Sequence, residues 1–220
     1  MTEFDRMRTH LEDSVAMMPV EKRALFLLAY AQRLSPLFEE FERRAPPRRE
    51  RFSQVLERLW RVAAGEPPNP LEEEVLDAMI PGEEWVVDGF YDTLAQDVGG
   101  LAVGALEGMH SPEGIVLHPE ATVFDLIRLL LSEMRLGRTE PGEDEAGRLF
   151  DELLHTEPLV DAERRFWVGL VEALDARALT PEELRSMAVR ETLDVSSLEP
   201  DLTQGRARDE ISAAGYNANG

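Results

Sequence analysis

The chain has 220 residues, 43% of them hydrophobic and 30% charged, with 44 Asp and Glu against 23 Lys and Arg and a formal net charge of −21. This is enough apolar material for one large domain or two small ones, and it excludes disorder throughout. The absence of cysteine excludes disulfides, thiolate metal sites and cysteine nucleophiles, and no run of about 18 apolar residues offers a membrane span.

Glu3, Asp5, Glu12 and Asp13 are wrong for a signal peptide, so the chain reads as cytoplasmic. A first helix is expected from Thr2 to Met17, with Phe4, Met7, Leu11 and Val15 on one stripe. Pro19 permits a new start, and Ala24, Leu27, Leu28, Ala31 and Leu34 form the next stripe. Ser35-Pro36 either kinks that helix or ends it and begins another, whose Leu37, Phe38 and Phe41 face the core. Pro46-Pro47 marks a turn, after which Phe52, Val55, Leu56, Leu59 and Trp60 define a helix stopping near Gly65.

Glu66-Pro67-Pro68 reads as a short rigid linker, and Asn69-Pro70 with Glu72 opens a helix that ends before Pro81-Gly82. Val87, Phe90, Tyr91, Leu94, Val98, Leu101 and Ala105 form a long stripe in which Gly100, Gly104 and Gly108 recur every fourth residue, allowing another helix to approach closely. Pro119 to Leu136 is apolar on most sides and is expected, with the Tyr91 to Met109 helix, at the centre of the bundle. Two helices follow, one through Leu149, Phe150, Leu153 and Leu154, the other through Phe166, Trp167, Leu170, Val171 and Leu174. Thr180-Pro181-Glu182-Glu183 starts a last helix to about Leu193. The fold class is therefore all-α, a single bundle of about eight to nine helices over residues 1–194, with 195–220 a disordered C-terminal tail.

The charge is uneven. From Glu66 to Glu145 there are 19 acidic residues against Arg128, Arg135 and Arg138, an excess of 16. Arg43, Arg44, Arg48, Arg49, Arg51, Arg58 and Arg61 make the preceding segment locally basic. Such a field repels nucleic acid and anionic membranes and favours a basic protein partner, or self-association between the opposed regions.

Candidate chemistry is sparse. Gly99-Gly100-Leu-Ala-Val-Gly104 has neither the preceding strand nor the following Lys and Ser or Thr of a phosphate loop and reads as packing. No serine sits in Gly-x-Ser-x-Gly, and His10, His110, His118 and His155 are scattered. Lys22, the only lysine, lies between Glu21 and Arg23 on what reads as a solvated face. Glu107-Gly-Met-His110 and Glu152-Leu-Leu-His155 have the i, i+3 spacing of di-metal carboxylate bundles. Glu is roughly one residue in seven here, so chance supplies such spacings, and no catalytic, cofactor or metal residue is assigned. Trp60 and Trp167 read as core, and Trp85, in a loop context, as a candidate partner contact.

Leu34-Ser-Pro-Leu-Phe-Glu-Glu-Phe41, Arg51-Phe-Ser-Gln-Val-Leu-Glu-Arg-Leu-Trp60, Ile80-Pro81, the Tyr91 to His110 helix and Glu163-Arg-Arg-Phe-Trp167 occur in this order. In that order the chain resembles the YjaG-like family of small all-helical bacterial proteins of unknown function, over roughly Val20 to Leu193. The resemblance implies a compact helical fold and transfers no active site. The expected function is a non-enzymatic protein-binding or regulatory module. Its alternatives are an acidic immunity-type protein that neutralises a basic partner such as a nuclease toxin, and a di-metal bundle enzyme.

Overall fold

The computed structural model describes residues 3–44, 50–69, 72–80, 90–110, 152, 156, 158–176 and 179–195. Among them there are seven helices and no strand, so the fold is all-α. No described helix is long and apolar enough to cross a membrane.

Helix α1 (Glu3–Ala16) buries Leu11 and Val15. At its end Met18 N–H turns back to Val15 O at 3.0 Å, and Pro19 O takes the first bond of the next helix from Arg23 N–H, also at 3.0 Å. That helix, α2 (Val20–Arg44), runs unbroken through Pro36, which settles the choice left open at Ser35-Pro36. Pro36 has no N–H to offer Gln32 O, while one residue along Arg33 O accepts Leu193 N–H at 3.0 Å and so anchors the segment that leaves the last helix.

Fifteen of the 25 residues of α2 are buried, and a helix covered on most sides is the centre of its bundle. It packs mainly against α5 (Phe90–His110) and also against α3 (Phe52–Ala63), α6 (Pro158–Ala176) and α7 (Pro181–Arg190). Sequence periodicity places α5 at the centre and overlooks α2, because the stripe Ala24, Leu27, Leu28, Ala31, Leu34 is only one of its buried faces. Phe26, Ala29 and Tyr30 bury another.

The short helices are fixed by their ends. Helix α3 starts with its Phe52 N–H donated to Glu42 Oε1 on α2 at 2.8 Å. It ends in a Schellman turn: Glu66 N–H bonds Arg61 O at 3.0 Å, Gly65 N–H bonds Val62 O at 2.9 Å, and Gly65 takes φ 102°. The Phe38 and Phe52 rings stack at 4.1 Å, and Trp60 Nε1–H donates to Gln32 Oε1 at 3.0 Å, so α3 lies along α2. Helix α4 (Glu72–Met79) buries Leu76 and Met79 and packs on α5; the Pro70 start expected for it falls outside the described residues. Helix α7 begins as its sequence predicts: Pro181 holds the first position, Glu183 N–H bonds Thr180 Oγ1 at 3.2 Å, and Thr180 N–H bonds Glu183 Oε2 at 2.9 Å.

The close approach to α5 occurs at Gly99 rather than at Gly100. A Cβ on Gly99 would stand 2.5 Å from Ile80 Cγ1 and 3.4 Å from Phe38 Cε2, whereas one on Gly100 would meet nothing within 4 Å. Gly104 and Gly108 are buried. The helix expected over Pro119 to Leu136 lies outside the described residues, as do the apolar residues Leu149, Phe150, Leu153 and Leu154 of the next one. Core packing continues through Leu193 to Val195, the position assigned to the start of the tail; residues 196–220 are also outside the described ones.

Candidate functional site

The most concentrated polar chemistry in the described residues is buried between α2 and α6. The apolar stripe of α6 includes Phe166, Trp167, Leu170 and Leu174, and Glu163 precedes Phe166 by three residues and Trp167 by four. Helical geometry therefore puts the carboxylate on the buried face. Its countercharge is Arg33 of α2: Nε and Nη2 both donate to Glu163 Oε1, at 3.0 and 2.5 Å, with each side chain 3% exposed. The guanidinium carbon stands 4.7 Å from the Phe166 ring centroid, a cation–π contact that also orients the fork. The Tyr30 ring meets Phe166 edge-on at 5.0 Å.

The polar capacity of this cluster is only partly used. Glu163 Oε2, Tyr30 Oη and Trp167 Nε1 are buried and have no hydrogen-bond partner among the described residues. Burial pushes the Glu163 carboxyl above the usual carboxylate range, and the charge and hydrogen bonds of Arg33 oppose that shift without cancelling it. Burial, then the nearby charge of Glu163, push the Tyr30 phenol well above its ordinary value against the pull of Arg33.

A second charged region runs along the end of α2 and the outer side of α3. Buried Glu40 pairs with Arg43 and with Arg44, whose Nε lies 2.5 Å from Glu40 Oε1. Buried Glu42 caps α3 and has Arg51 Nη1 3.6 Å away. Arg58 Nη2 bonds Glu50 Oε2 at 2.7 Å. Arg185 of α7 bonds Glu57, a hydrogen bond that holds this exposed carboxyl below the usual range. A shallow open groove lined by Glu50, Ser53, Gln54, Glu57, Arg58 and Arg61 lies between these pairs. Arg43, Arg44 and Arg51 of the basic segment therefore find glutamates on α2, and Arg58 finds Glu50 just ahead of α3, which answers in part where this charge goes. Arg48 and Arg49 lie outside the described residues.

The residues singled out in sequence are dispersed. Lys22 is not on a solvated face: it is half-buried, and its Nζ donates to Leu174 O, one of the last carbonyls of α6. Those carbonyls have no intrahelical donor, so a lysine there caps the helix and opposes its negative end. Glu107 is half-buried and His110 exposed at the end of α5, Glu152 is exposed, and His155 and Trp85 lie outside the described residues. No group of three or more His, Asp or Glu among the described residues could hold a metal ion. The glycine-rich Gly99 to Gly104 stretch lies inside helix α5 and is not a loop. Trp60 and Trp167 are core, and His10 packs against Trp167 with ring centroids 6.0 Å apart.

Sequence reading passed over Tyr30, Arg33, Glu40, Glu42 and Glu163. A signal existed in the charged residues standing on apolar helix faces, of which Glu163 within Glu163-Arg-Arg-Phe-Trp167 is the plainest. No family model, no curated protein and no solved structure matches the chain. The functional reading rests on its own residues.

Proposed function

We propose that the chain is a non-enzymatic protein-binding or regulatory module that works through its helix faces. One observation carries this reading. Arg43, Arg44, Arg51 and Arg58 of the basic segment are paired with Glu40, Glu42 and Glu50, none of which belongs to the acidic stretch from Glu66 to Glu145. The stretch from Glu66 to Glu145 itself carries an excess of 16 negative charges. A rigid helical scaffold with an unbalanced acidic region attracts a basic protein and steers its approach.

The same charge distribution favours a narrower reading, an immunity-type protein that neutralises a basic partner such as a nuclease toxin. The acidic region would then stand where the toxin's nucleic acid binds. Membership of the YjaG-like family belongs to this proposal and adds no site to it.

The test is recovery of partners from the native host on the immobilised chain, at about 0.01 M and about 1 M salt, where the Debye length falls from about 30 to about 3 Å. A basic protein bound at low salt and lost at high salt supports the proposal. Association indifferent to salt removes the electrostatic reading, and specific turnover by the purified chain removes the non-enzymatic one.

A further inference from the structure

Helices α2 and α6 meet antiparallel in one register. Along α2 the contacts run from Lys22 through Tyr30 to Arg33, and their partners on α6 run back in equal steps, from Leu174 through Phe166 to Glu163. Most of what packs between the two helices does not demand this register. The buried apolar residues of α6, Val160, Phe166, Trp167, Leu170 and Leu174, stand at helical spacing with Glu163 in their midst. A displacement by one turn therefore sets apolar side chains on apolar side chains again. Lys22 does not demand it either, because each of the last carbonyls of α6 offers its ammonium an acceptor.

Arg33 and Glu163 do demand it. Each side chain is 3% exposed, and Arg33 Nε and Nη2 both donate to Glu163 Oε1. Moving α6 by one turn in either direction puts Trp167 or Leu159 opposite Arg33. The guanidinium keeps its charge across the accessible range and would then be buried without its counterion. Breaking a buried pair in this way is strongly destabilising, whereas replacing both members by apolar residues of similar volume is often neutral or stabilising. The pair therefore weighs against wrong registers more than it adds to the stability of the right one. We propose that Arg33–Glu163 is a register lock, which selects one placement of α6 along α2 from several that the apolar pattern alone would accept.

Two further contacts tie the rest of the fold to this choice. The Arg33 guanidinium stands 4.7 Å from the Phe166 ring centroid, so the ring next to Glu163 on α6 is fixed by the same side chain. The Arg33 carbonyl accepts Leu193 N–H at 3.0 Å, which places the segment following α7 against the same turn of α2. The outer side of α6 carries Asp161 paired with Arg164 and Arg165. A one-turn displacement would move these exposed charges by about 5 Å along the helix axis, so the lock also fixes the charge pattern that α6 presents to solvent.

The experiment compares the wild-type chain with Arg33→Met, Glu163→Leu and the variant carrying both. The chain has no cysteine, so Glu39→Cys on α2 and Glu172→Cys on α6, both at exposed positions, take a pair of nitroxide labels whose separation reports the register by pulsed EPR. The wild-type background is expected to give one distance. The double variant should unfold at a higher denaturant concentration than either single variant, yet show a second distance, displaced by about one 5.4 Å turn, or a distribution broadened by that amount. A double variant that keeps the single wild-type distance overturns the proposal. So does one that fails to fold or unfolds no later than the single variants, because the pair would then be a stabiliser that apolar side chains cannot replace.

Discussion

Two adjacent glycines of α5 separate packing from helix propensity. Gly99→Ala places a methyl 2.5 Å from Ile80 Cγ1, closer than carbon atoms can approach, so Ile80 or the end of α4 must shift. Inserting a methyl into a packed contact costs about 1–3 kcal/mol. Gly100→Ala places the same methyl where nothing lies within 4 Å. Each substitution also gains up to about 1 kcal/mol of helix propensity, and because both positions lie inside α5 that gain cancels in the comparison. Gly100→Ala should therefore be stabilising by up to about 1 kcal/mol, and Gly99→Ala less stable than it by about 1–3 kcal/mol. Denaturant unfolding of the two variants, with unchanged m values, measures the difference. Equal midpoints, or a more stable Gly99→Ala, would refute the placement of α4 against α5.

Other substitutions address the polar interior. Tyr30→Phe removes a buried hydroxyl that has no partner among the described residues and should be neutral or stabilising by about 1 kcal/mol, at the lower end of the cost of an unmet polar group; a clear loss on chemical denaturation would mean that Oη has a partner. Glu42→Ala removes the acceptor of Phe52 N–H and should cost about 1–2 kcal/mol as a lost helix cap, with Glu42→Gln recovering most of it because an amide oxygen can still accept. The Arg185 hydrogen bond holds Glu57 low, so its contribution is present above the ordinary Glu range and lost as pH falls through the depressed value. In a pH series of thermal unfolding, Glu57→Gln should approach the wild-type chain at the acid end, and its exposed position makes the effect small and salt-sensitive.

What was legible in the sequence was mostly local. Thr180-Pro181-Glu182-Glu183 specifies α7 because cap, proline and returning carboxylate are all within four residues, and each does in the structure what its chemistry allows. Gly65 ends α3 for the same reason: its position just beyond the last apolar residue suits a positive φ. What depends on a second element was not legible. Spacing marks Gly100, Gly104 and Gly108 as a small-residue stripe, yet between the first two glycines of α5 the close approach falls on Gly99 and not Gly100, because Ile80, just beyond α4, stands against Gly99.

Lys22 shows the same limit. Its neighbours Glu21 and Arg23 suggest solvent, but the end of α6, 152 residues away in sequence, supplies the carbonyl that Lys22 caps. Arg33 and Glu163 could each be noticed as a charge on an apolar face. Their pairing is a property of how α2 meets α6 and cannot be read from either helix alone. The central place of α2 does not follow from its two stripes, Ala24 to Leu34 and Leu37 to Phe41, because the helix is buried on several further sides.

The measurement that bears most directly on the proposed function is the association rate of the purified chain with a basic protein recovered from its own host, taken across ionic strength. The account predicts a rate that falls steeply as salt rises, with the loss concentrated in variants that neutralise acidic residues between Glu66 and Glu145. A rate that does not change with salt, or one that changes equally when acidic residues elsewhere are neutralised, would contradict it.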